Sequence, residues 1–237
     1  MTEIRNYNTA DAVAKAAAEN AVELLNEAIQ ARGRAYWVLA GGSSPMAAYR
    51  ALVDTYAADV DWDKVTVIMG DERYVSFDDK DSNWGAIMAI FNASPELSKV
   101  HRVSPDTLAT VEQTAAAYES ALRELAVDSF DLVWIGVGED GHTLSLFPNN
   151  PGFTSETDSW VIPVFDSPKP PSRRISLSLR FFEHVDELVI FATGVAKKDS
   201  LRTARLKGGL PVSTVAEVTE ASGGEVRWLY DAAAWGG

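Results

Sequence analysis

Apolar residues recur along this chain in two rhythms. Between Ala10 and Arg32 they return at helical spacing, with Val13, Ala17, Ala21, Leu24, Leu25 and Ala28 on one face, which predicts an amphipathic helix. Short unbroken apolar runs then alternate with helix-like stretches. YWVLA (Tyr36–Ala40), VTVIM (Val65–Met69) and LVWIGV (Leu132–Val137) predict buried strands, and WVIPV, RISLSL, ELVIFAT and VRWLY supply further candidates. MAAYRALVDTYAA, Ser82–Phe91, Thr110–Leu125 and Ala196–Lys207 read as helices. Unbroken apolar strands alternating with helices predict an α/β fold whose mainly parallel sheet is covered on both faces. The proline-rich stretch Pro163–Pro171 predicts a mobile loop rather than a linker, because the alternation resumes directly after it. The expectation is a single domain over residues 1–237.

Composition narrows the chemistry. No apolar run approaches the roughly 18 residues that span a bilayer, and the polar N-terminus lacks a signal-peptide core. The expected location is therefore cytoplasmic, with no membrane partner. The chain has no cysteine, which excludes disulfides, iron–sulfur clusters, thiolate zinc sites and cysteine nucleophiles together. His101, His142 and His184 lie far apart with no HExxH pair, so no metal site is expected. A net charge of −13 argues against nucleic-acid binding, which needs a basic footprint. An anionic substrate would need basic side chains converging locally.

In parallel sheets, ligands collect beyond the carboxyl ends of strands. Three loops in such positions carry chemistry. After YWVLA come Gly41, Gly42, Ser43, Ser44 and Pro45, where Ser44 is a candidate N-cap and Pro45 a first helical residue. A helix N-terminus there would offer free N–H groups to a phosphate; the bland alternative is a well-capped turn. No GKS or GKT follows, which disfavours nucleoside triphosphate hydrolysis. After VTVIM come Asp71, Glu72 and Arg73, a run whose arginine can clamp an oxyanion. Charged runs are more often solvated loops, as Asp78–Asp81 is read. After LVWIGV, Gly136, Gly138 and Gly141 match the dinucleotide fingerprint GxGxxG. Pro148 and Pro151 forbid the long helix that this fingerprint requires, so nicotinamide dinucleotide binding is rejected. His142, among glycines and beside Asp140, is suited to general-base work because its reference pKa of about 6.5 lets it take a proton near neutrality. His101 and His184 lack such surroundings and are read as structural.

Together GGSSP, GDERYV with Ser82-Asn83, GVGEDGHTLSLFP and SPKPPSRRISLSL, in this order, resemble the 6-phosphogluconolactonase family over most of the chain. The resemblance implies a three-layer α/β/α Rossmann-like fold that needs no cofactor or metal. The implied activity is hydrolysis of 6-phospho-D-glucono-1,5-lactone to 6-phosphogluconate in the pentose phosphate pathway. The partner is this small phosphorylated lactone, and the assembly expected is a monomer or homodimer. The related glucosamine-6-phosphate deaminases share the glycine-rich loop and the histidine. They carry DEY for DER and an acidic residue in an FNEP-type segment, where this chain has Arg73 and Ser145-Leu146-Phe147-Pro148; lactonase is the better match. The chain departs from the family at Leu144, usually small, at Arg173, often acidic, and at Lys198, where alanine usually follows the lysine matched by Lys197.

On this resemblance His142 is the base that activates water, Asp140 orients it or maintains its tautomer, Arg73 meets the oxyanion or a nearby sugar oxygen, and Asp71 shapes the pocket or contacts sugar hydroxyls. The phosphate would lie on Gly41, Gly42, Ser43 and Ser44, neutralised by Lys169, Arg174 and Lys197.

Overall fold

A computed structural model of the chain describes residues 2–154 and 156–236. In chain order its strands and helices are β1 (Thr2–Tyr7), α1 (Ala10–Arg32), β2 (Ala35–Leu39), α2 (Ser43–Tyr56), β3 (Val65–Met69), β4 (Asp71–Arg73), α3 (Asn83–Phe91), β5 (His101–Val103) and α4 (Val111–Glu124). The chain continues through β6 (Phe130–Gly136), α5 (Pro151–Thr154), β7 (Val161–Val164), β8 (Arg174–Leu177), β9 (Val185–Ala192), α6 (Lys198–Leu206), α7 (Pro211–Ala221), β10 (Glu225–Asp231) and α8 (Ala232–Trp235).

Seven strands form one sheet in the order β1-β10-β9-β6-β2-β3-β5, and every neighbouring pair is parallel. Side chains alternate across its central strands. Val38, Val133, Ile135, Ile190 and Trp228 face a core shared with α4, α6 and α7. Trp37, Leu39, Leu132, Trp134 and Phe191 face a second core filled by α1, α2 and α3. Two apolar faces explain why these strands read as unbroken apolar runs rather than alternating ones. The fold is therefore three-layer α/β/α. Aromatic rings close the second core: Trp37 and Trp134 meet edge to face at 4.7 Å, and Tyr49 stacks on Trp134 at 5.1 Å. Among the described residues no helix is long and apolar enough to cross a membrane.

The helices begin where capping chemistry allows. Thr9, Ser82 and Thr110 each accept a backbone N–H from the first turn of α1, α3 and α4. The helix after the glycine-serine loop departs from expectation: it starts at Ser43, its N-cap is Gly42 at φ 100°, and no side chain caps it. The Ser44 hydroxyl instead pairs with Thr193 Oγ1 at 2.5 Å, so it is not the cap.

Other departures have plain causes. The strand β1 is a largely exposed edge strand of polar sequence, so it carries no apolar run to betray it. Residues 71–73, read as a loop, form β4, which pairs antiparallel with β8 in a small second sheet of order β4-β8-β7. That sheet also takes WVIPV and RISLSL out of the main sheet. Helix α7 (Pro211–Ala221) is absent from the elements read off the sequence.

Candidate active site

The order of the main sheet reverses between β2 and β6: the chain proceeds from β2 outward to β3 and β5, then returns to β6 and builds outward on the other side. Ligands bind at such switch points because the loops leaving the two strands diverge and open a crevice. A cleft of about 190 Å³ lies here. Gly41–Ser44 line it after β2, Asp71 and Arg73 after β3, and His142 after β6. Lys169, Arg174 and Lys197 complete its wall, while Asp140 does not line it but stands behind His142.

The glycine-serine loop is held from beneath. The buried hydroxyl of Tyr49 accepts the Ala40 N–H at 3.0 Å and donates to the Ala40 carbonyl at 3.1 Å, fixing the end of β2. At Gly41 a Cβ would stand 2.2 Å from Asn83 Oδ1, so only glycine admits the asparagine beside the loop. Asn83 Nδ2 in turn donates to the Asp71 carbonyl at 3.1 Å. The first turn of α2 therefore presents its N–H groups to the cleft on a fixed backbone.

The three charged residues of β4 divide their labour. Glu72 points away from the cleft and accepts from Arg73 N, Asn83 N, Trp84 N and Ser82 Oγ at 2.6–2.9 Å. Burial pushes its carboxyl above the ordinary range, and these donors offset part of that. Glu72 is thus the buried anchor of α3. Asp71, 6% exposed, accepts the Ser145 hydroxyl at 2.6 Å and lies 3.9 Å from Arg174 Nη1. Arg73 bonds the Asp81 carbonyl through Nη1, while its Nε is buried without a partner among the described residues.

His142 sits on a tight turn. Gly138 N donates to the His142 carbonyl at 2.8 Å, and Gly141 adopts φ 81° against Leu210. After this turn the chain folds into a second one, bridging Thr143 and Leu146; no long helix opens here. The Asp140 carboxylate accepts Nδ1–H of His142, which leaves Nε2 as the lone-pair nitrogen of the neutral ring. The ring packs on Phe147 with centroids 4.6 Å apart. Burial pushes the imidazole below its ordinary value and Lys169 pushes the same way, while Asp140 and, more weakly, Asp71 oppose them. Burial alone would raise Asp140, but the hydrogen bonds and charge of His142 more than reverse it. The pair is a neutral imidazole held by a carboxylate, the form a general base needs.

The cations gather on the same side. Burial holds Lys197 below its ordinary value; Glu139 and Asp140 pull it back up, and Lys169 adds to the lowering. Arg174 is 5% exposed and spends Nε on the Pro171 carbonyl at 3.1 Å and Nη2 on the Lys169 carbonyl at 3.0 Å. It holds the proline-rich loop that carries Lys169.

Two residues that line the cleft have no role assigned from the sequence: Asn83, present there only in the Ser82-Asn83 pair, and Thr143, present only within GVGEDGHTLSLFP, whose buried hydroxyl lacks a partner among the described residues. His101 and His184 lie away from the cleft and bond the Asp63 and Asp128 carbonyls at 2.9 and 3.3 Å. Among the described residues no group of three or more His, Asp or Glu side chains could hold a metal ion.

The fold and its switch-point cleft define a Rossmann-like α/β enzyme. The chain belongs to the glucosamine-6-phosphate isomerase/6-phosphogluconolactonase family, whose model matches residues 8–228. It is 34% identical over 223 residues to the 6-phosphogluconolactonase of Mycobacterium tuberculosis, covering 90% of this chain and 89% of that one. A probable 6-phosphogluconolactonase of Drosophila melanogaster is 36% identical over 166 residues, which is 70% of this chain and 67% of the relative. Among solved structures, a 6-phosphogluconolactonase from Shewanella baltica superposes with a TM-score of 0.85 over 98% of both chains at 24% identity, a likeness of fold.

Proposed function

We propose that this chain hydrolyses 6-phospho-D-glucono-1,5-lactone to 6-phosphogluconate, as its relatives' names suggest, with His142 as general base. The observation that carries the reading is the His142 imidazole, held by the Asp140 carboxylate and lining a cleft that also holds Arg73 and two lysines. A location in the cytoplasm, where sugar phosphates are metabolised, fits this role.

Nε2 of His142 takes a proton from water as the oxygen attacks the lactone carbonyl. The tetrahedral oxyanion is met by the Arg73 guanidinium. Collapse expels the ring oxygen, and the imidazolium returns its proton to that leaving group, which restores the base and gives a carboxylic acid and a hydroxyl; the acid then ionises and releases its proton to solvent. Asp140 keeps the proton on Nδ1 in the resting state and stabilises the imidazolium. Asp71 accepts from sugar hydroxyls. The phosphate lies on the N–H groups of Gly41–Ser44 with Lys169 and Lys197 beside it. Arg174, its donors largely committed to loop carbonyls, contributes positive charge and the placement of Lys169.

The deciding assay follows acid release from freshly generated 6-phosphogluconolactone, above the spontaneous rate. Acceleration proportional to enzyme supports the reading. No acceleration, or ammonia release from glucosamine 6-phosphate instead, would sink it.

A further inference from the structure

We infer that Ser145 is a positioning residue, which aims the Asp71 carboxylate at the substrate and couples it to the loop that carries His142. Ser145 is fully buried and follows His142 by three residues, yet its hydroxyl reaches across to a different strand. Oγ donates its single proton to Asp71 Oδ2 at 2.6 Å and accepts from Arg174 Nη1 at 3.5 Å. This makes a directed chain from guanidinium to hydroxyl to carboxylate, and all three side chains are buried.

The hydroxyl has little freedom to do anything else. Its backbone lies inside the turn closed by Leu146 N on the Thr143 carbonyl at 2.9 Å and by Thr143 N on the Leu146 carbonyl at 3.3 Å. The Ser145 N–H itself is held by Ser176 Oγ at 3.3 Å. The preceding Leu144 takes φ 50°, a left-handed conformation that a leucine avoids without compensation. The turn thus spends backbone strain on the segment that delivers Oγ to Asp71.

A carboxylate beside an arginine ordinarily turns both oxygens toward the guanidinium fork. Here Nη1 stays 3.9 Å from Oδ2, beyond hydrogen-bond reach, and the hydrogen bond that Oδ2 accepts comes from the Ser145 hydroxyl beside it. Among the described residues no hydrogen bond ends on Oδ1, and Asp71 lines the cleft. Fixing Oδ2 leaves Oδ1 as the acceptor for a substrate hydroxyl, held in one orientation by a rigid second layer. This inference rests on the reading above that Asp71 meets the substrate.

A double-mutant cycle tests it, using Ser145→Ala, Asp71→Ala and the double variant. Two readings are taken: steady-state kinetics on the lactone, and calorimetric affinity for 6-phosphogluconate, which does not depend on turnover. Ser145→Ala should raise KM and weaken 6-phosphogluconate binding by about tenfold, the scale of one hydrogen bond to a charged group. In the Asp71→Ala background the same change should cost less than about twofold, because the interaction it serves is already gone. Ser145→Cys keeps the volume without a strong donor and should match Ser145→Ala; it carries the cycle if the alanine variant does not fold. Equal cost in both backgrounds would mark Ser145 as merely structural and overturn the proposal. Wild-type behaviour of both serine variants would do the same. If the wild type binds 6-phosphogluconate but shows no lactone turnover, the catalytic reading fails while the binding arm still decides on Ser145.

Discussion

The imidazole of His142 occupies the space that a side chain at Gly138 would need: a Cβ there would stand 1.9 Å from Nδ1 and 2.7 Å from Asp140 Oδ1. The glycine is required by the base, not by the backbone, since it is not among the residues with positive φ.

Gly138→Ala should therefore expel the ring from its bond with Asp140 while leaving the strand intact. The expected outcome is a fall in kcat of at least about 10²-fold, the scale of a lost general base, with Tm lowered only slightly. Activity near wild type would show that the ring is not held as described.

His142→Ala should cut kcat by about 10²–10⁴-fold and change affinity for 6-phosphogluconate little. A folded variant with near-normal turnover, after the spontaneous rate is subtracted, would remove the base assignment.

The pH profile carries a sign. Because burial depresses His142, the acidic limb of kcat/KM should fall below the ordinary imidazole value of about 6.5. Asp140 raises His142, so Asp140→Asn should move the limb to still lower pH while lowering the plateau. Lys169 lowers it, so Lys169→Met should move the limb upward. Shifts in the same direction for both variants would contradict the arrangement.

Lys169→Ala and Lys197→Ala should each raise KM for the phosphorylated lactone by about tenfold, the scale of a charge-assisted contact. Hydrolysis of the unphosphorylated lactone should be unaffected in its KM. Equal effects on both substrates would remove these lysines from the phosphate.

Glu72→Ala should act on stability instead. It orphans four donors within one buried cluster, a cost of about 3 kcal/mol or roughly 6–12 °C in Tm. Glu72→Gln, which keeps acceptor oxygen and volume, should cost less; thermal melts of the two variants decide.

Where the sequence was informative, one physical signal dominated. Burial on both faces made β2, β3, β6 and β9 readable as apolar runs, and hydroxyl caps set the helix starts at Ser82 and Thr110. Local chemistry was legible at His142 and Asp140, which lie two residues apart. Long-range pairing was not. Nothing local says that Asp71–Arg73 pairs with Arg174–Ser176, so β4 looked like a charged loop. The serine after Leu144 likewise gains meaning only from a carboxylate 74 positions earlier. Ser44 looked like a helix cap because hydroxyls before helices usually are, but here Thr193 takes its hydroxyl.

The carboxylate of Asp231 accepts the Gly194 N–H at 3.0 and 3.2 Å through its two oxygens and also caps α8 through the Ala234 N–H at 2.8 Å. Gly194 begins the turn that ends at Lys197, so the cleft, whose first residue is Ala40, draws on the chain as far as residue 231. The wall that carries Lys197 is therefore pinned by a residue made 37 positions after Gly194: during synthesis the chain must emerge through Asp231 before the Gly194 turn is held in place.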